Sequence, residues 1–221
     1  IMPEGLSTAA SQINGQGKKV GLSVEGPLDK VVDAPSAFIA NLTSQVTTNS
    51  LSSVHLRLTE GNLTATAACN FLSSVRTNLP NSTSLGITIL PNGVAKVGGS
   101  IPAASANSSL SQWNKADSII QCGLSYVDRV NLMIYRPYSG TSLTQMVLDL
   151  NNWNGDSFST TSYSGVPANK IGLILLAENS TSAARVWSSS EYNYTDPTSL
   201  TSFINELNTT YGIDIRTLLI Q

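Results

Sequence analysis

Six short apolar segments recur along this chain, and a stretch of helical periodicity lies between each one and the next. That alternation most constrains the fold. The segments are Lys18 to Val24, Val54 to Thr59, Leu85 to Leu90, Val130 to Tyr135, Lys170 to Ala177 and Ile213 to Ile220. A helix over Leu6 to Gln16 precedes the first. Asp33-Ala34-Pro35 opens the next helix, with proline near its first turn, and it runs to about Thr47. Further helices are expected over Thr64 to Leu79, Leu110 to Ser125 and Leu143 to Trp153. The last is opened by Asp196-Pro197-Thr198 and closes near Tyr211-Gly212. Loops are expected from Val97 to Ser109 and from Ser157 to Pro167. Strands alternating with helices imply a parallel sheet covered by helices. The near-continuous apolar run at Lys170 to Ala177 suits a strand buried on both faces. An open doubly wound sheet fits, and so does a (β/α)₈ barrel, which needs two more strands than are visible.

One strand carries a polar face. In Ser52-Ser53-Val54-His55-Leu56-Arg57-Leu58-Thr59-Glu60-Gly61, apolar and polar residues alternate. A period of two puts Val54, Leu56 and Leu58 on one face and His55, Arg57 and Thr59 on the other. His55 is the only histidine in the chain. If that face lines a barrel, this is where a site belongs.

The rest of the chain narrows the function classes. Only 12% of residues are charged, against roughly 25% in a typical soluble domain. Net charge is −2 with no basic run, so a nucleic-acid footprint is absent. No apolar run approaches the roughly 20 residues of a membrane helix. Ser, Thr and Asn supply the missing polarity. Glycosylation acceptors occur at Asn41, Asn62, Asn81, Asn107, Asn179, Asn193 and Asn208. Low charge and these acceptors point to an extracellular or cell-surface glycoprotein. In that compartment Cys69 and Cys122 are expected to form a disulfide. Two cysteines and one histidine make a structural zinc site unfavourable, and no cofactor is implied.

Several segments, taken together, resemble family 18 glycoside hydrolases, the chitinase family. Leu22-Ser23-Val24-Glu25-Gly26 is similar to the family's L-S-x-G-G strand end, with Glu25 replacing the first glycine. Leu132-Met133-Ile134-Tyr135-Arg136 resembles its M-x-Y-D strand, with Arg136 where aspartate is usual. Val166-Pro167-Ala168-Asn169-Lys170 leading into Leu173 to Ala177 resembles P-x-x-K before an L-G-L-P-A strand, with Ile174 and Leu176 replacing the Gly and Pro. Ser199 to Ile215 resembles the last helix and strand. The resemblance runs from the family's third strand to its eighth and covers nearly the whole chain. It implies an α/β, TIM-barrel-like parallel barrel, with 1–221 as a single domain and six βα units visible. It also implies a barrel that is N-terminally incomplete, with two units missing or supplied by further segments or another chain.

The family's acidic motif, D-x-x-D-x-D-x-E, falls on Ser52, His55, Arg57 and Thr59, so all four acids are replaced. A one-residue slip that recruited Glu60 would turn the apolar residues inward, against strand parity. A threonine hydroxyl is far too weak an acid to protonate a glycosidic oxygen. No catalytic residue is therefore assigned, and the resemblance implies a pseudoenzyme. Arg57, if it lines a lumen, needs a partner, and Glu25 and Asp214 are the expected ones. A remnant ligand cleft would comprise Glu25, Glu60, Met133, Tyr135, Arg136 and Glu178 at the C-terminal strand ends. Trp187 and Tyr192 could stack on sugar rings, whereas Trp113 and Trp153 fall on expected helices. The tryptophan that ends the family's last strand has no counterpart in Ile215 to Ile220. Three functions stay open: a structural or surface-assembly protein, a glycan-binding module, and a divergent hydrolase acting on N-acetylglucosamine-containing glycans.

Overall fold

The computed structural model describes residues 5–24, 31, 35–57, 65–89, 123–133, 143–151, 166–175, 197–215 and 218–220. In chain order the elements are α1 (Leu6–Gly15), β1 (Gly21–Val24), α2 (Pro35–Thr48), β2 (Ser53–Arg57), α3 (Ala65–Asn78) and β3 (Ser84–Ile89). Then follow β4 (Arg129–Met133), α4 (Leu143–Asn151), a 3₁₀ turn (Ala168–Lys170), β5 (Ile171–Leu175), α5 (Pro197–Tyr211) and β6 (Leu218–Ile220).

All six strands form one sheet in the order β1-β2-β3-β4-β5-β6, and every pairing is parallel. A doubly wound sheet reverses direction at a switch point, and this order never does. Crossovers that are all right-handed and all step the same way put every helix on one face. The other face is left to curve inward, as in a TIM barrel.

Register shows which side chains go where. Leu22, Val54 and Leu85 occupy one aligned row, and Val24, Leu56, Ile87, Val130 and Ile171 another. Val54, Leu56, Leu85, Ile87, Val130, Leu132, Ile171 and Leu173 are all fully buried. They share one core with Leu42 and Val46 of α2, Phe71, Leu72 and Val75 of α3, Val147 and Leu150 of α4, and Phe203 and Leu207 of α5. Burying each such side chain contributes about 1.5–3 kcal/mol.

Two strands are shorter than their apolar runs predict, because helix ends claim the backbone first. Lys18 donates its amide to Ile13 O (3.2 Å), so pairing begins only at Gly21. Ile213 donates to Leu207 O (3.0 Å) and Gly212 to Asn208 O (3.0 Å), closing α5. Gly212 turns the chain there with φ of 69°, a conformation glycine adopts without strain. Residues 213–215 are therefore no strand, although Ile213 is buried. Residues 216–217 lie outside the described residues. So does most of the expected helix over Leu110 to Ser125. Its end is a turn in which Tyr126 and Val127 both donate to Gly123 O.

Lys170 closes the 3₁₀ turn instead of starting β5. Its Nζ donates to Leu124 O and Val127 O, each at 2.7 Å. The ammonium thus satisfies two carbonyls left over where the chain enters β4. Lys170→Met keeps the apolar stem and removes both bonds. It is expected to cost about 2 kcal/mol, since hydrogen bonds to charged groups contribute roughly 1.5–3. A urea midpoint equal to the parent's would refute that role.

Candidate functional site

The alternation of β2 resolves as its parity predicts. Val54 and Leu56 face the helical side, and His55 lies on the opposite, concave face. Register aligns Ser23, His55, Gly86 and Arg129 in one row across the sheet. One step toward the C-terminal ends the row is Arg57, Thr88, Asn131 and Gly172. Met133 and Ile174 are aligned one step beyond.

His55 and Asn131 meet across this face. The Asn131 amide Nδ2 lies 2.9 Å from His55 Nδ1. Their strands are not neighbours, because β3 runs between them. Two strand spacings amount to about 9.6 Å, so the bond must pass over the β3 backbone. Gly86 lets it pass. A Cβ built there would lie 2.6 Å from His55 Nδ1 and 2.9 Å from Asn131 Nδ2.

The pair is deeply enclosed, with His55 6% and Asn131 0% exposed. Thr88 is buried beside them in the same row as Asn131. Burial lowers the imidazole pKa below its ordinary value, because the charged form loses its hydration. Because the amide presents Nδ2, which only donates, a neutral ring facing it accepts at Nδ1 and carries its proton on Nε2. Asn131 Oδ1 is buried and has no hydrogen-bond partner among the described residues. A ring held this way is a poor proton donor. Its acidic form is disfavoured and its free proton sits on a neutral imidazole.

The other positions of the acidic-motif match fall as follows. Ser52 sits just before β2, and its hydroxyl donates to Val20 O at 3.0 Å, bracing β1 rather than entering the concave face. Arg57 closes β2; its side chain and Glu25 lie outside the described residues, and so do the ion pairs expected of Arg57 with Glu25 and Asp214. Thr59, Glu60, Tyr135, Arg136 and Glu178 also lie outside the described residues, and of Met133 only the backbone is placed. Trp113, Trp153, Trp187 and Tyr192 fall outside as well. Asn41, Asn81 and Asn208 are exposed, while Asn62, Asn107, Asn179 and Asn193 are outside the described residues. Cys69 is buried on α3 and no free thiol occurs among the described residues, but Cys122, its expected partner, lies beyond them. Among the described residues no cluster of three or more His, Cys, Asp or Glu could hold a metal ion, and no helix is long and apolar enough to cross a membrane.

Asn131 is the site residue that motif reasoning passed over. Its signal was parity: it shares a face with Met133 and Tyr135 in an otherwise apolar strand, two positions before the M-x-Y match.

No protein-family model matches the chain, and no curated protein matches it. Solved structures do. A GH18 chitinase from Pseudoalteromonas aurantia superposes with a TM-score of 0.62 at 13% identity, over 100% of this chain and 76% of that one. A chitinase from Rhizomucor miehei gives 0.57 at 14% identity, over 100% of this chain and 81% of that one. A sugar phosphate isomerase/epimerase from Parabacteroides distasonis gives 0.54 at 11% identity, over 98% of this chain and 69% of that one. Identities this low establish the fold alone: a TIM-barrel-like (β/α) architecture that the chain shares with GH18 chitinases and with an isomerase of different chemistry.

Proposed function

We propose that this chain is a non-catalytic, extracellular glycoprotein whose chitinase-like barrel has a structural, surface-assembly role. One observation carries the reading. Where the resemblance would put an acid of the hydrolytic motif stands His55, buried and hydrogen-bonded to Asn131. Glycoside hydrolysis needs a carboxylic acid to protonate the leaving oxygen. Among the described residues, the rows of the concave face hold no Asp or Glu. The exposed acceptors Asn41, Asn81 and Asn208 suit a glycosylated surface. β1 pairs with β2 alone and β6 with β5 alone, so each end of the described sheet offers backbone groups to a further strand.

Light scattering on glycosylated protein tests the assembly claim. The expected result is a particle of several chains that persists on dilution. A one-chain particle of about 23.3 kDa plus glycan overturns it. A chromogenic chitobioside tests the other half, with no turnover expected. Turnover that Glu60→Gln abolishes would make the chain a divergent hydrolase. Binding of chito-oligosaccharide without turnover, lost in Tyr135→Ala, would make it a glycan-binding module.

A further inference from the structure

We propose that His55 and Asn131 form an acid-sensitive latch that ties β2 to β4 across the concave face while the imidazole is neutral, and releases or reverses when Nδ1 takes a proton. The direction of the bond carries this. Asn131 Nδ2 faces His55 Nδ1 at 2.9 Å, and an amide NH₂ only donates, so with the amide in this placement the ring nitrogen accepts, as the Nε2–H tautomer. Proton uptake there replaces the acceptor lone pair with a donor, so two donors face each other. The amide must then turn about its last torsion to present Oδ1, which has no partner among the described residues. That turn is sterically nearly neutral, because amide O and N are close in size and the terminal torsion is roughly two-fold. It leaves Nδ2 as the buried group without a partner instead. The β3 backbone under Gly86 lies against both side chains, so neither can swing toward it.

Apart from Asn131 Oδ1, which the turned amide presents to it, nothing described near the latch would stabilise an imidazolium. From β1 the same face presents Gly21 and Ser23, and from β3 Gly86 and Thr88. From β4 it presents Arg129, whose guanidinium donates to Asp128 O and Asn169 O. On β2 itself the next position of that face is Arg57, and β5 contributes Gly172 and Ile174. The charged positions among these are both cationic. A proton on His55 is therefore unfavourable in the folded state, in agreement with the lowered imidazole pKa. The unfolded chain binds that proton near pH 6.5 and the folded chain only below it. The stabilisation is present above pH 6.5 and is lost as pH falls toward the folded value.

His55 is the only histidine, so one imidazole signal reports the latch without assignment. In the ¹⁵N-labelled protein at pH 8, Nδ1 is expected to be unprotonated and Nε2 protonated. On acidification the ring should titrate below 6.5, and the unfolding equilibrium constant should rise about tenfold for each unit of that difference. His55→Gln should lose this part of the pH dependence. A ring carrying its proton on Nδ1 at pH 8, or titrating at or above 6.5, overturns the proposal. So does a His55→Gln protein with the parent's pH profile. If that variant does not fold, the wild-type titration alone decides.

Discussion

Gly86→Val is expected to lower the unfolding free energy by roughly 3 kcal/mol or more, combining overpacking with a lost buried hydrogen bond. Strand propensity alone predicts the opposite. Valine is among the best strand residues and glycine among the worst, a difference of up to about 1 kcal/mol in favour of the variant. Packing decides. The first added carbon would lie 2.6 Å from His55 Nδ1, 2.9 Å from Asn131 Nδ2 and 3.3 Å from His55 Cε1. These atoms belong to buried side chains bonded to each other, not to free ends that can move aside. One of the pair must leave its place, which strands polar groups in a dry layer. Urea unfolding measures the loss as a drop in midpoint at unchanged slope. His55→Ala in the Gly86→Val background should recover part of it, and the double-mutant cycle isolates the collision. A Gly86→Val protein within about 0.5 kcal/mol of the parent would mean that the His55–Asn131 bond does not cross Gly86 as described.

Much of this architecture was legible because it rests on local periodicity. The alternation of Val54, His55, Leu56 and Arg57 predicts both faces of β2, and both are found. The apolar runs mark six strands, all present, and helices start at Pro35 and Pro197 as the Pro signals predict. Strand order was not in the periodicity. It came from the family resemblance, and the superposition on chitinase structures agrees with it. What the sequence could not supply is long-range backbone accounting. Nothing in Lys18 or Ile213 announces that its amide will close a helix rather than join a sheet. Lys170 reads as the head of a strand until Leu124 and Val127 bring their carbonyls to it. The site pair is the extreme case. His55 and Asn131 are 76 positions apart, and their contact depends on a third strand with no side chain at the crossing point.

Phe71→Ala is the second large effect, and it tests the helical side of the same sheet. Phe71 is 2% exposed on α3, in the same core as Val54, Leu56, Leu85 and Ile87. Its ring lies 5.8 Å from that of Phe38 on α2, tilted by 45°, within the roughly 4.5–7 Å at which aromatic pairs interact. Truncation removes the transfer free energy of the ring and leaves a cavity that the flanking Leu72 and Val75 cannot fill without leaving their own sites. The expected cost is about 3–5 kcal/mol. In a chain of this length that corresponds to a fall of roughly 10 °C in Tm. Phe38→Ala should cost less, because Phe38 is only partly buried. The two changes together should fall short of their sum by about 0.5–1.5 kcal/mol, the coupling of the ring pair. Phe71 sits on the helix that follows β2, whereas the latch sits on the opposite face. A Phe71→Ala protein should therefore unfold earlier yet keep, while folded, the same His55 titration. If truncation instead moved that titration to 6.5, the two faces of the sheet would be coupled through β2, and the latch would depend on the helical layer as well as on Asn131.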